Sequence, residues 1–236
     1  MTILPLRYAR WMARDLFLSQ GIMLLVIAVL TGIILARISP RLEAARGAEI
    51  LTAMLSQLGW LFVLYLVGGM VSTDRVQGYY RSYFSRPVPP WGYYLQRWLL
   101  GGVVMALMIP VLYLAVGVVI GWIRFPWELV AKASLLYLLF GGLCFFLSTL
   151  TRLDWTHAIV LYFLDFILYH LRQEGAKLSA ILNFVADIIP PFHLTDPLKA
   201  LPAGVDLFHC LAYGLALVLA ALAVLRWRPM GVGGRS

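Results

Sequence analysis

Residues 72–98 read STDRVQGYYRSYFSRPVPPWGYYLQRW and form a long polar interruption in an otherwise apolar chain. The stretch is rich in tyrosine and arginine, and Asp74 is its one acid. The Pro87–Pro90 segment must break a helix, because proline fixes φ and has no amide hydrogen to donate. We therefore expect a helix from Asp74 to Phe84 that continues the preceding apolar run, then a stiff corner, then a new helix from Trp91 to Arg97.

The composition of the remaining chain predicts an integral membrane protein. Of 236 residues, 62% are hydrophobic and 13% are charged, and the mean hydropathy is +0.86. Soluble domains are about 45–50% apolar and about 25% charged. The polar segments are shorter than the ~50 residues that a soluble domain needs, so we expect any catalytic globular domain to lie on another chain.

Six apolar runs predict six transmembrane helices, because ~20 helical residues cross a hydrocarbon core of ~30 Å. The predicted fold class is therefore an all-α integral membrane protein, with residues 1–236 forming a single transmembrane domain. The fifth run is only marginally long and includes an acid, Asp165. The predicted spans are about Leu16–Ala36, Ile50–Val71, Leu99–Trp122, Leu129–Leu150, Trp155–Leu171 and Leu207–Leu225.

The N-terminal residues 1–15 place Arg7, Arg10 and Arg14 at spacings of three and four, which puts them on one face of a helix. This pattern is typical of an amphipathic helix at the membrane interface, with its basic side toward lipid phosphates. An ordinary positively charged flank of the first span is the alternative. Both interpretations place the N-terminus in the cytoplasm.

A broken apolar segment separates the last two predicted spans. Residues 172–206 contain a weakly amphipathic piece from Leu178 to Ile189, which Pro190-Pro191 stops, and a second helical turn is predicted near Asp196–Leu201. Because the apolar piece is too short to cross a membrane, we expect a re-entrant or interfacial helical hairpin on the outer side.

The net charge of +8 is explained by basic residues beside the apolar runs. With both termini inside, the inner segments are mainly basic, whereas the outer segments carry nearly as many acids as bases, in agreement with the positive-inside rule. The expected location is the cell membrane, and no nucleic-acid partner is expected. Cys144 and Cys210 lie in apolar runs without C-x-x-C spacing, which is typical of small buried side chains.

The polar stretch resembles the pattern of type-2 ABC exporter permeases, the ABC-2 membrane-protein family. In that pattern an acid and a glycine follow span two, and Ser-Arg-Pro-Val precedes a basic residue that enters span three. The whole layout is also similar, with a basic amphipathic N-terminal helix, six spans and a broken outer hairpin. The matching positions here are Asp74, Gly78, Ser85, Arg86, Pro87, Val88 and Arg97.

The chain departs from that family at two places. Tyr79-Tyr80 stand where the family often has a small hydroxyl residue and leucine, and the first outer loop, residues 37–49, is short. The substrate is therefore not assigned by analogy.

The resemblance implies that residues 73–97 form a cytoplasmic coupling loop. This loop and the N-terminal helix would dock on a separate ATP-binding subunit, itself a dimer, and two identical or homologous permeases would surround the substrate path. The sequence contains no G-x-x-x-x-G-K-[ST], so ATP and magnesium are expected on the partner, with no catalytic residue, metal or cofactor on this chain. The predicted coupling residues are Arg7, Arg10, Arg14, Asp74, Arg75, Gly78, Arg81, Ser85, Arg86, Pro87, Val88 and Arg97.

Asp165 is a second candidate site, because a carboxylate within a span costs about 2.5–3.5 kcal/mol on insertion and often marks function. Tyr162, Tyr169 and His170 lie nearby, so we expect a tyrosine hydroxyl as a feasible partner. Asp165 could face substrate, carry a proton, or fix packing by pairing with a neighbouring span. An intramembrane enzyme using Asp165, His157 or His170 and a non-transporting membrane anchor or assembly protein are the alternative functions, although the chain has no G-x-S-x-G or H-E-x-x-H.

Overall fold

The computed structural model describes residues 6–38, 59–78, 89–120, 127–176, 178–196 and 199–227. These residues form helices joined by turns, and none of them lies in a β-strand. The all-α prediction is therefore confirmed for this part of the chain.

The N-terminal helix passes directly into the first predicted span. Helix α1 (Leu6–Leu16) continues through a π-helical segment, Phe17–Gly21, into α2 (Ile22–Ile38). Within α1, Met12 and Leu16 are buried, whereas Arg10 and Arg14 are exposed. The described part of α1 is thus amphipathic, as the arginine spacing predicts.

The polar stretch begins with a turn that the sequence did not predict. Residues 59–67 form α3, residues 68–71 form a turn, and Ser72–Gln77 form a separate short helix, α4. The expected helix from span two to Phe84 is wrong within the described residues, because Gly69 and Gly78 both adopt a φ of 72°. Glycine takes this left-handed conformation readily and commonly ends a helix there.

The helix after the proline corner is confirmed. Helix α5 (Pro90–Ile120) begins with proline at its first position, where the missing amide hydrogen has no helical partner to lose. It continues past Pro110 into the third predicted span.

Helix α6 (Trp127–Leu150) and helix α9 (Val205–Trp227) are each long and apolar enough to cross a membrane, and they are the two candidate spanning helices among the described residues. They pack together at Gly214, where a Cβ atom would lie 2.5 Å from Cγ of Leu138. Helix α6 contains a π-helical segment, Tyr137–Gly141.

The segment between the fifth and sixth predicted spans contains a short helix and a further turn. Helix α7 (Asp154–Gln173) is followed by α8 (Ala180–Ile188), whose first turn is capped by Ser179, and then by a 3-10 turn at Phe192–Thr195. A second helical turn was predicted near Asp196–Leu201; the described residues of that range are not helical, and the 3-10 turn lies just before it. Asp196 adopts ψ of 116°, the extended conformation favoured before a proline such as Pro197.

Candidate functional site

Helix α4 is held in place by polar side chains. It has only six residues, too few to be stable by itself in water. Ser72 and Asp74 are nevertheless buried, and their side chains bond to other parts of the chain. The position of α4 therefore depends on those contacts.

Asp74 attaches α4 to the start of α5. Its Oδ2 accepts a hydrogen bond from the Tyr94 hydroxyl at 3.1 Å and lies 3.3 Å from Nη1 of Arg97. Asp74 is 6% exposed, so water contributes little to the solvation of its carboxylate. Two residues that the sequence analysis selected separately, Asp74 and Arg97, thus form one ion pair.

Burial raises the pKa of Asp74, while the positive charge of Arg97 and the hydrogen bond from Tyr94 act in the opposite direction. The pKa of Tyr94 is also raised, first by burial and then by the charge of Asp74. The phenol therefore stays protonated and donates its hydrogen to the carboxylate.

The variant Arg97→Gln is expected to destabilise the chain in a pH-dependent way. Because the folded state raises the pKa of Asp74, it gains stability when the carboxyl is protonated at low pH and loses it as the pH rises through the folded pKa. Without Arg97 this loss increases, to about 1–3 kcal/mol at pH 7 and less near pH 4. Thermal unfolding of the purified chain across pH measures it. In the background of Asp74→Asn, the same arginine change should show no such pH dependence. If the pH dependence of the loss is the same in that background, the assigned ion pair of Asp74 and Arg97 is contradicted.

Asp154, at the start of α7, bonds both to the turn at residues 68–71 and to the first residue of α4. It is fully buried, and its Oδ2 accepts a hydrogen bond from the Gly69 amide at 2.7 Å. Its Oδ1 accepts a second bond from the Ser72 hydroxyl at 3.2 Å. Asp154 was not predicted as a site residue, because it lies in the short polar segment just before the fifth predicted span.

Arg75 gives α4 a third attachment. Its guanidinium donates to the backbone carbonyl oxygen of Thr149 at 2.8 Å, in the last turn of α6. Helix α4 is thus bonded to α5 through Asp74, to α6 through Arg75 and to α7 through Asp154.

The N-terminal helix meets α4 at a cavity of about 290 Å³. Met12 and Leu16 of α1 line it from one side, and Thr73 and Asp74 of α4 line it from the other. Helix α1 and α4, which belong to the two segments predicted to dock on a separate subunit, are therefore neighbours. Its remaining lining residues are Trp11, Asp15, Gly68, Gly69, Met70, Gln77, Tyr93 and Arg97.

Gly78 ends α4 with a φ of 72°, and a Cβ atom there would have nothing within 4 Å. The backbone conformation, and not crowding, is therefore what favours glycine. The remaining predicted coupling residues of the loop lie outside the described residues, as does the side chain of Arg7. They are Arg81, Ser85, Arg86, Pro87 and Val88.

Asp165 on α7 pairs with the 3-10 turn Phe192–Thr195. Nδ1 of His193 lies 3.0 Å from Oδ1 and 2.9 Å from Oδ2 of Asp165, and the His193 amide donates to Oδ2 at 2.7 Å. The partner is therefore an imidazole from the 3-10 turn and not the expected tyrosine hydroxyl. The sequence analysis missed His193 because it lies 28 residues further along the chain.

The other residues predicted around Asp165 have different positions. Tyr169 stacks on His193 with ring centroids 4.1 Å apart, and its hydroxyl accepts a hydrogen bond from Gln173. His170 lies 6.4 Å from the Tyr169 ring. Tyr162 belongs to the aromatic core and contacts Phe140, Phe166 and Phe192.

Neither the protein-family models nor the curated proteins compared with this chain match its sequence. Within the described ranges, no group of three or more histidine, cysteine or acidic side chains could hold a metal ion. The arrangement of α4 and the Asp165–His193 pair are therefore the features from which function is inferred.

Proposed function

We propose that this chain is the permease subunit of an ATP-binding-cassette transporter of the ABC-2 type. A separate ATP-binding subunit would drive export of a substrate across the membrane, or its extraction from the membrane. The observation that supports this most is the bonding of α4 to three longer helices, by Asp74 to α5, by Arg75 to α6 and by Ser72 to Asp154 of α7.

This bonding makes α4 suitable for transmitting force. A partner that displaces α4 would displace the start of α5, the end of α6 and the start of α7 together, because buried and partly buried hydrogen bonds connect them. Packed helices have discrete arrangements, so closure of an ATPase pair would favour one arrangement over another. In this proposal ATP and magnesium bind the partner, and the residues of this chain transmit the movement.

The proposed architecture has six spans, with both termini in the cytoplasm and two permease copies around the substrate path. The two candidate spanning helices, α6 and α9, support the membrane location. Helix α9 also presents Phe208, Leu215 and Leu219 at its surface, more than half exposed. In the proposed membrane, lipid or the second permease would cover this face.

Helix α4 exposes an apolar side chain where the ATP-binding subunit would dock. Val76 is 61% exposed and stands between two polar residues, Arg75 and Gln77. Apolar side chains at the centre of an interface contribute much of its binding energy. We therefore expect Val76 to contact the partner directly.

The variant Val76→Glu is expected to reduce co-purification of the ATP-binding subunit on the order of tenfold, which corresponds to about 1.4 kcal/mol. Quantitative mass spectrometry of the tagged full chain, purified from membranes, measures it. Ile181→Glu is the matched control, since Ile181 is 75% exposed on the outer hairpin and should leave association unchanged. Equal losses in both variants would contradict docking at α4.

A second candidate function is catalysis at Asp165 and His193. A carboxylate on Nδ1 leaves Nε2 of the imidazole able to act as a general base. Among the described residues, the hydrogen bonds of His193 are to Asp165 and do not include a serine, threonine or cysteine. An activity of the purified chain alone that His193→Gln abolishes would favour this function over the permease.

A further inference from the structure

The outer hairpin is fastened to α7 through a single buried carboxylate. Asp165 is 4% exposed and receives both the side chain and the backbone amide of His193. Phe192, which immediately precedes His193, is fully buried against Phe140 and Tyr162. The 3-10 turn is therefore the part of the hairpin that is anchored in the core.

The rest of the hairpin is much less buried. Ile181 and Phe184 of α8 are 75% and 65% exposed, and no residue of α8 is buried. Arg172 of α7 pairs with Asp187, with side chains 38% and 67% exposed, and also donates to the carbonyl oxygen of Asn183. On α9, the Tyr213 hydroxyl donates to the carbonyl oxygen of Ile188. These contacts are exposed, and exposed polar pairs contribute little, so among the described residues the buried polar attachment of the hairpin to α7 is the one at the turn.

An imidazole is a suitable partner for a switch, because histidine ordinarily exchanges its proton at about pH 6.5. A buried carboxylate opposite an imidazolium forms an ion pair with no net charge. When the imidazole is neutral, the same carboxylate is left as a buried, uncompensated negative charge, which is costly.

We propose that Asp165 and His193 form a proton-binding site that fastens the outer hairpin to α7. The proton comes from the outer solution, binds the free ring nitrogen of His193 and returns to the solution when the pH rises. The bound state is the ion pair, in which the turn is held on α7. In the unbound state the neutral imidazole and the His193 amide still donate to the carboxylate, whose charge is no longer balanced, and the turn opens more often.

The charged and titratable groups around the pair fall into four places and include one other histidine. On α7 they are Tyr162, Tyr169 and His170; after the turn they are Asp196 and Lys199; on α6 they are Glu128 and Lys132; on α9 they are Asp206 and Cys210. His170 is that histidine, and it lies beside Tyr169.

Hydrogen exchange of the full-length chain in lipid nanodiscs tests the proposal. Protection factors, which correct for the intrinsic effect of pH on exchange, are measured for the amides of residues 182–194 at pH 5.5 and pH 8.5. The wild-type protection is expected to fall on the order of tenfold at the higher pH, the factor that corresponds to about 1.4 kcal/mol. A wild-type protein without this fall would overturn the proposal.

Variants assign the effect to the pair. His193→Asn keeps a side-chain donor but has no titrating proton, so its protection should be the same at both pH values. Asp165→Asn should also lose the dependence and serves if the first variant does not fold. His170→Gln and Arg172→Gln should both retain the tenfold fall. A fall that persists in His193→Asn, or that disappears in His170→Gln, would contradict the proposed site.

Discussion

The variant Asp154→Ala is expected to lower the free energy of unfolding by about 2–5 kcal/mol. The carboxylate is fully buried and accepts bonds from the Gly69 amide and the Ser72 hydroxyl. Its removal leaves both donors without that acceptor in a region with little water, at about 1–3 kcal/mol each. Thermal unfolding of the purified chain, followed by intrinsic fluorescence, measures the loss.

Two matched variants separate this effect from a general loss of charge. Asp154→Asn keeps one carbonyl oxygen as an acceptor and is expected to lose less stability than the alanine variant. Asp187→Ala removes a carboxylate whose side chain is 67% exposed and should change the midpoint little. Similar losses in the two alanine variants would contradict the assigned role of Asp154.

The variant Gly214→Val is expected to separate α6 from α9. The first added carbon would lie 2.5 Å from Cγ of Leu138 and 3.1 Å from its carbonyl oxygen, and the backbone atom cannot move away without shifting the helix. Overpacking of this kind costs about 1–3 kcal/mol. The expected result is a lower unfolding midpoint and a broader elution profile in size-exclusion chromatography.

Ala216→Val provides the control for this change. Ala216 lies two residues further along α9 and is exposed, so the added methyl groups are expected to meet no packed neighbour among the described residues. The control is expected to unfold within about 0.5 kcal/mol of the wild type. If Gly214→Val is as stable as the Ala216→Val control, the assigned close approach of α6 and α9 is contradicted.

The sequence predicted the helices best where long apolar runs determine them. The runs at 129–150 and 207–225 lie within α6 and α9, and the arginine spacing identified the amphipathic character of α1. The Gly68-Gly69 pair was harder to interpret. Such a pair serves close helix packing as well as a turn, and only the surrounding structure shows that Gly69 has a positive φ.

The polar contacts of both sites could not be read from the sequence. Helical spacing relates residues three or four apart, whereas Asp154 binds Gly69 across 85 residues and Asp165 binds His193 across 28. These pairs form because separate helices pack beside one another. The sequence did indicate both acids: Asp165 because a carboxylate within an apolar run requires a partner, and Asp74 because it matches the family pattern.

The proposed coupling role is tested most directly by identifying what binds α4. The tagged full chain is extracted from native membranes in mild detergent, and its bound proteins are sequenced and quantified. The expected partner carries G-x-x-x-x-G-K-[ST], is present in an amount comparable to the chain, and is lost on the order of tenfold from Val76→Glu but retained by Ile181→Glu. A wild-type chain that binds no such ATP-binding protein would contradict the proposed function.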